Sequence, residues 1–98
     1  MDLDRVEFIK KVLLPHKDRI KRDYGVNLLG VFGSSVRGDF RPDSDVDILI
    51  EVEKPIGFKF FELWDELESL LGIKVDLVRE SLLKEEIKEY VIKDLLPL

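Results

Sequence analysis

Three aspartates in this sequence have types and spacings suited to metal-assisted chemistry. Asp45 and Asp47 lie two residues apart in "DVDILIEV", residues 45 to 52. In a strand, residues two apart project from the same face. Their carboxylates would then stand side by side, with Val46 and Ile48 anchored in the core on the other face. Adjacent carboxylates repel, and a cation relieves the repulsion. Hard oxygen ligands suit Mg²⁺, with Mn²⁺ as the alternative. Asp76 is the third acid, inside "IKVDLV", residues 73 to 78. A charge within an apolar strand is costly unless something compensates it. If this strand neighbours the one carrying Asp45 and Asp47, three carboxylates meet on one sheet face. That set can serve two metal ions in in-line phosphoryl chemistry. Taken alone, Asp76 reads equally well as a surface-paired aspartate on an edge strand.

Upstream, Gly33, Ser34 and Ser35 follow the apolar run "NLLGVF", residues 27 to 32. Glycine permits a tight turn and lets backbone N–H groups approach an anion. The serines add hydroxyls, and a helical turn over residues 35 to 38 would present its N-terminus to negative charge. Arg37 is placed to pair with a phosphate or with one of the acids. By itself "GSS" is an ordinary turn. A phosphate cradle followed by a carboxylate cluster describes a metal–nucleotide site.

Other motifs fail. A calcium loop starting at Asp43 would need Gly at Ile48 and Glu at Lys54. The loop has no lysine for a P-loop. Glycines 30, 33 and 38 do not fit a dinucleotide fingerprint. His16, the single histidine, follows Pro15 outside any constellation and reads as solvated, so no Ser-His-Asp arrangement is indicated.

The elements that must position these residues are legible from apolar spacing. Leu3, Val6, Ile9, Val12 and Leu13 are helically spaced, with Asp2 as N-cap and Pro15 as a break. Helical turns continue to about Tyr24, before Gly25. Strands are expected over 27–32, 45–52 and 73–78. A helix over 58–72 carries Phe60, Leu63, Trp64, Leu67, Leu70 and Leu71 inward, with Gly72 as C-cap. A last helix, capped by Ser81, would turn Leu82, Leu83, Ile87, Tyr90, Val91 and Leu95 inward. The expected fold class is α+β: a small three-stranded mixed β-sheet with helices packed on one face.

Composition narrows the function classes. Ninety-eight residues suggest one domain, 1–98, and 45% hydrophobic residues can build one core. Net charge −5 argues against a general nucleic-acid binder, though not against a small polyanion held through metal. With no cysteine, thiol nucleophiles and zinc thiolates are excluded. No apolar run reaches membrane-span length and the N-terminus does not look like a signal peptide, so a cytoplasmic protein is expected.

"GSSVRGDFRPDSDVDILI", completed by Asp76 in "VDLV", resembles the signature of the DNA polymerase beta-like nucleotidyltransferase superfamily. The small size and the Ser-x-x-Arg-Gly form are most similar to its minimal nucleotidyltransferases, over about residues 25 to 96. The resemblance implies a nucleotidyltransferase fold in which Gly33 and Ser34 bind the triphosphate of ATP. It further implies that Asp45 and Asp47 ligate two Mg²⁺ ions, and that Asp76 ligates the catalytic one and helps deprotonate an acceptor hydroxyl. Arg37 would steady the loop or a phosphate. Members of the minimal group commonly act as antitoxins beside a HEPN-domain toxin, transferring AMP to a tyrosine on it. A chain with no room for an acceptor-binding domain suits an acceptor carried by a partner. The contrasting reading is a non-catalytic antitoxin that occludes its partner. Its amphipathic last helix and apolar tail "LLPL" could dock on another chain, or could simply pack on this one.

Overall fold

The first apolar stripe closes over a sheet. In this computed structural model, which describes residues 3–98, helix α1 (Leu3–Leu13) buries Val6, Ile9 and Leu13. The expected cap at Asp2 and the side chain of Leu3 lie outside the described residues. Pro15 cannot continue an α-helical hydrogen-bond ladder. It sits in a 3₁₀ turn, Leu14–His16, before α2 (Lys17–Tyr24) resumes. Gly25 ends α2 in the left-handed region at φ 69°, donating its N–H to the Lys21 carbonyl.

Strand β1 (Val26–Phe32) then leads into a one-turn helix, α3 (Ser34–Arg37). After a loop come β2 (Val46–Val52), α4 (Lys59–Leu71) and β3 (Val75–Arg79). A 3₁₀ turn (Glu80–Leu82), α5 (Glu85–Asp94) and a short β4 (Leu96–Pro97) complete the chain. β2 pairs antiparallel with β1 and parallel with β3, so the sheet is mixed as expected.

It has four strands, not three, in the order β3-β2-β1-β4. The extra strand is the "LLPL" tail, too short to register as a strand by pattern. Its Leu96 and Pro97 lie opposite Val31 and Gly30, and the Leu98 N–H donates to the Leu29 carbonyl at 3.1 Å. The tail therefore packs on its own sheet. Gly30 makes room for it: a Cβ there would lie 2.7 Å from Leu95 Cδ1 and 2.5 Å from the Leu96 carbonyl oxygen. Gly30→Ala should consequently detach β4 and cost about 1–3 kcal/mol, the usual penalty of overpacking. Thermal melts would register the loss, and amide exchange should rise at Leu98; an unchanged melt would contradict this packing.

One sheet face holds the core. Val46, Ile48 and Ile50 of β2 join Val75 and Leu77 of β3 and Val26, Leu28 and Val31 of β1 against α1, α2 and α4. Of the expected α4 stripe Leu63, Leu67 and Leu71 are buried, Phe60 and Trp64 pack partly buried against the core, and Leu70 is only partly buried. The last helix departs from expectation. It starts at Glu85 rather than after Ser81, because Leu83 and Lys84 are extended. Of its expected inward residues only Val91 is fully buried, while Leu82, Ile87 and Tyr90 are 73%, 51% and 74% exposed. Leu49 explains where α5 goes. It alternates with Ile48 and Ile50, so it points to the opposite face. There it lines a shallow cavity of about 310 Å³ with Leu29, Leu83, Ile92 and Leu95. Helices thus flank both faces, not one, and α5 partly covers the face that carries the acids.

Candidate active site

A β-bulge aims the site. β1 and β2 run in register until a shift between Leu28 and Gly30, where Leu29 is the extra residue. The shift lets Leu28 and Val31, three apart, both face the core, opposite Ile50 and Ile48. Beyond it Phe32 lies opposite Asp47, and the chain leaves the sheet at Gly33 beside that aspartate. Bulges commonly re-aim a strand next to a functional site.

Asp47 is the centre of the arrangement. On its other side β3 lies parallel with Asp76 directly in register. The two carboxylates come from adjacent strands and the same sheet face. Asp45 immediately precedes β2 and is exposed, as is Asp76 on the edge strand β3. Exposure removes the expected desolvation cost at Asp76; what marks this residue is its alignment with Asp47. The start of β3 is gripped by α4. Trp64 Nε1 donates to the Val75 carbonyl at 2.6 Å, and the Val75 N–H donates to Glu68 Oε2 at 2.8 Å.

Burial, then the neighbouring Asp76 and Asp45 charges, push the Asp47 carboxyl up to about 6, with Arg37 opposing them. Among the described residues none of the three carboxylates is ion-paired. No three acidic, His or Cys side chains among those residues close around a common point. The carboxylates stand beside one another rather than as a preformed cage. A half-buried, unpaired oxygen donor pressed by two like charges is a set that a hard divalent cation would relieve. The residues present fit Mg²⁺.

Gly33 joins the two halves of the site. Its φ of 79° and ψ of −150° fall in a region that is essentially restricted to glycine. A Cβ built there would overlap Asp47 Oδ2. Val36 and Arg37 donate their N–H groups to the Gly33 carbonyl, closing α3 over Ser34–Arg37, one residue earlier than the expected 35–38. The first amides of a helix have no partner within it, so this turn leaves N–H groups beside the acidic strand ends.

The other sequence candidates are distributed unevenly. Ser34 is partly exposed at the head of α3. Ser35 is fully buried, and its Oγ accepts from Arg5 Nε at 3.0 Å, so its side chain turns inward. Arg37 is exposed and pairs with acids outside the Asp45, Asp47 and Asp76 group. Its Nη1 donates to Asp94 Oδ2 at 2.8 Å, and Nε lies 3.5 Å from Asp39. The Asp94 hydrogen bond, with Asp39 nearby, raises its pKa above the ordinary arginine value. His16 has an Arg19 contact at 3.3 Å and lies outside the site. Sequence reasoning missed Arg5, Trp64, Glu68 and Asp94, whose roles depend on distant contacts and carry no local motif.

Known proteins resemble this chain in sequence and in fold. A family model described as the nucleotidyltransferase domain matches residues 15–96. Protein adenylyltransferase MntA of Thermococcus cleftensis is 47% identical over 90 residues, 91% of this chain and 91% of its own. A solved structure assigned as a minimal nucleotidyltransferase matches with a TM-score of 0.76 at 33% identity, covering 100% of this chain and 97% of that one. A chain from a crystal structure of a toxin–antitoxin with AMP-PNP matches with a TM-score of 0.65 at 26% identity, over 93% of this chain and 69% of that one. Matched along most of its length by both sequence and fold, this chain belongs to the nucleotidyltransferase domain family, among its minimal members.

Proposed function

We propose that this chain is a Mg²⁺-dependent protein adenylyltransferase. It would move AMP from ATP to a hydroxyl, a tyrosine, of a HEPN-domain toxin, and so act as the antitoxin of that pair. The observation that carries this reading is the in-register Asp47–Asp76 pair, with Asp45 beside it, facing the Gly33 turn. Asp45, Asp47 and Asp76 would hold the metal. Bound Mg²⁺ supplies positive charge to the phosphate oxygens as negative charge builds there. Gly33 and the head of α3 at Ser34 would receive the outer phosphates through backbone N–H groups. Ser35 supports that turn from below, and Arg37 can exchange its Asp94 contact for a phosphate oxygen.

The acceptor oxygen attacks the α-phosphorus. The bond from that phosphorus to the bridging oxygen breaks, pyrophosphate leaves, and the hydroxyl proton passes to a carboxylate, Asp76 by its exposed position on the edge strand. A relative named protein adenylyltransferase and a toxin–antitoxin neighbour with AMP-PNP support both the chemistry and the partner. Among the described residues no helix is long and apolar enough to cross a membrane.

The test is incubation with the partner toxin, Mg²⁺ and α-labelled ATP. The partner should become labelled, and Asp45→Asn with Asp47→Asn should abolish the label; equal labelling by the double variant would sink the proposal. A second reading, neutralisation by occlusion alone, is favoured by the exposed Leu82, Ile87, Tyr90 and Ile92. It predicts neutralisation that survives the same double substitution.

A further inference from the structure

Arg5 lies on α1, remote in sequence from every site residue, yet it contacts both ends of the active-site loop. Its Nε donates to Ser35 Oγ at 3.0 Å, in the turn proposed to receive phosphate. Its Nη2 donates to the Ser44 carbonyl at 2.6 Å, on the residue directly before Asp45. Between these contacts the guanidinium lies over the Phe40 ring, 4.3 Å from its centroid. One side chain thus touches the beginning, middle and end of the segment from Gly33 to Asp45.

The start of that segment is also held by Val36, which is in the core, and by the Arg37–Asp94 ion pair. Beyond the α3 turn the segment is not part of the sheet, and the internal contacts found there among the described residues are Arg37 to Asp39 at 3.5 Å and a local pair between Arg41 and Ser44 at 2.9 and 2.8 Å. Arg5 is itself well anchored, because the next residue, Val6, and Ile9 a turn on are in the core. A planar guanidinium can meet two acceptors in fixed directions while stacking on an aromatic ring; a lysine ammonium cannot do both. Ser35 is the one buried polar residue among the described residues, and its hydroxyl is engaged by this arginine.

We propose that Arg5 is a positioning residue that sets the distance between the turn at Ser34–Arg37 and the carboxylates that begin at Asp45. The proposal rests on the adenylyltransferase reading for its kinetic consequence but not for the tie itself. Displacing one half of a site by about 1 Å can cost about 100-fold in rate. Arg5→Met keeps the aliphatic bulk and removes the fork. It should lower kcat for AMP transfer about 10- to 100-fold well below the melting transition, with a smaller change in KM for ATP. Arg5→Lys should recover only part of that loss.

Amide exchange of residues 34–45, measured without nucleotide, tests the tie separately. Exchange should rise in Arg5→Met while the β1 and β2 amides stay protected. Unchanged exchange in this segment would overturn the proposal whatever the kinetics. A lower melting temperature with kcat and KM unchanged would overturn it too, leaving Arg5 a stabilising residue only. Absence of AMP transfer by the unaltered protein would instead overturn the adenylyltransferase reading, and the exchange result would still decide the tie.

Discussion

Asp47→Asn is expected to raise the melting temperature of the metal-free protein at pH 7 while removing AMP transfer. The sign follows from the direction of the shift. The Asp47 carboxyl is raised from the ordinary 3.8 to about 6, first by burial and then by Asp76 and Asp45. Between those values the folded chain keeps a proton that the unfolded chain releases. Its stabilising contribution is therefore complete below about pH 3.8 and disappears as pH rises through about 6. At pH 7 the ionised group opposes folding. At 1.36 kcal/mol per unit the full shift corresponds to about 3 kcal/mol. Partial solvation of the site reduces this to about 1–2 kcal/mol. For a domain of this size that is a gain of about 5–10 °C for the asparagine variant. Melts from pH 4 to 7.5 in chelator should show the two proteins close together at pH 4, separating between about pH 4 and 6, and a constant distance apart above pH 6. Mg²⁺ should then raise the melting temperature of the unaltered protein and not that of the variant. Parallel pH profiles would show that Asp47 is not under this electrostatic pressure.

Gly33→Ala should be the most damaging single-atom addition to the site. The backbone at φ 79° and ψ −150° disfavours any side chain, at about 1–3 kcal/mol. The new methyl group would also displace the Asp47 carboxylate that it overlaps. Overpacking of this kind costs a further 1–3 kcal/mol, approximately. Displacement of a carboxylate proposed to hold the metal should reduce AMP transfer about 100-fold or more. Combining Gly33→Ala with Asp47→Ala separates the two costs. The overlap is removed and the backbone strain remains, so the double variant should be more stable than the sum of the single effects predicts. Additivity within error would mean that Gly33 and Asp47 do not press on each other.

The paired carboxylates were legible because strand parity is a local property: Val46, Ile48 and Ile50 fix one face, and Asp47 takes the other. Asp76 was legible as a singular charge between Val75 and Leu77, although the reason was not desolvation, since the residue is exposed on an edge strand. The bulge at Leu29 was not legible, because one extra residue in an apolar run leaves no mark in its composition. β4 escaped notice for a similar reason: two residues have no period, and their pairing depends on the missing Cβ of Gly30. In the last helix apolar spacing does not amount to burial. Leu82, Ile87 and Tyr90 follow a helical stripe, but the sheet face available to α5 accommodates only part of it. Ser35 looked like a phosphate ligand by position, and its partner Arg5 is thirty residues away. Side chains that act through contacts between distant elements become visible only once the sheet brings those elements together.

The most direct measurement is the intact mass of the partner toxin after incubation with this protein, ATP and Mg²⁺, alongside the toxin's remaining activity. The expected result is a gain of one or more AMP groups together with loss of toxicity, both absent when Asp47→Asn replaces the unaltered protein. Loss of toxicity with no gain in mass, equally produced by Asp47→Asn, would contradict the reading of these carboxylates as a catalytic centre.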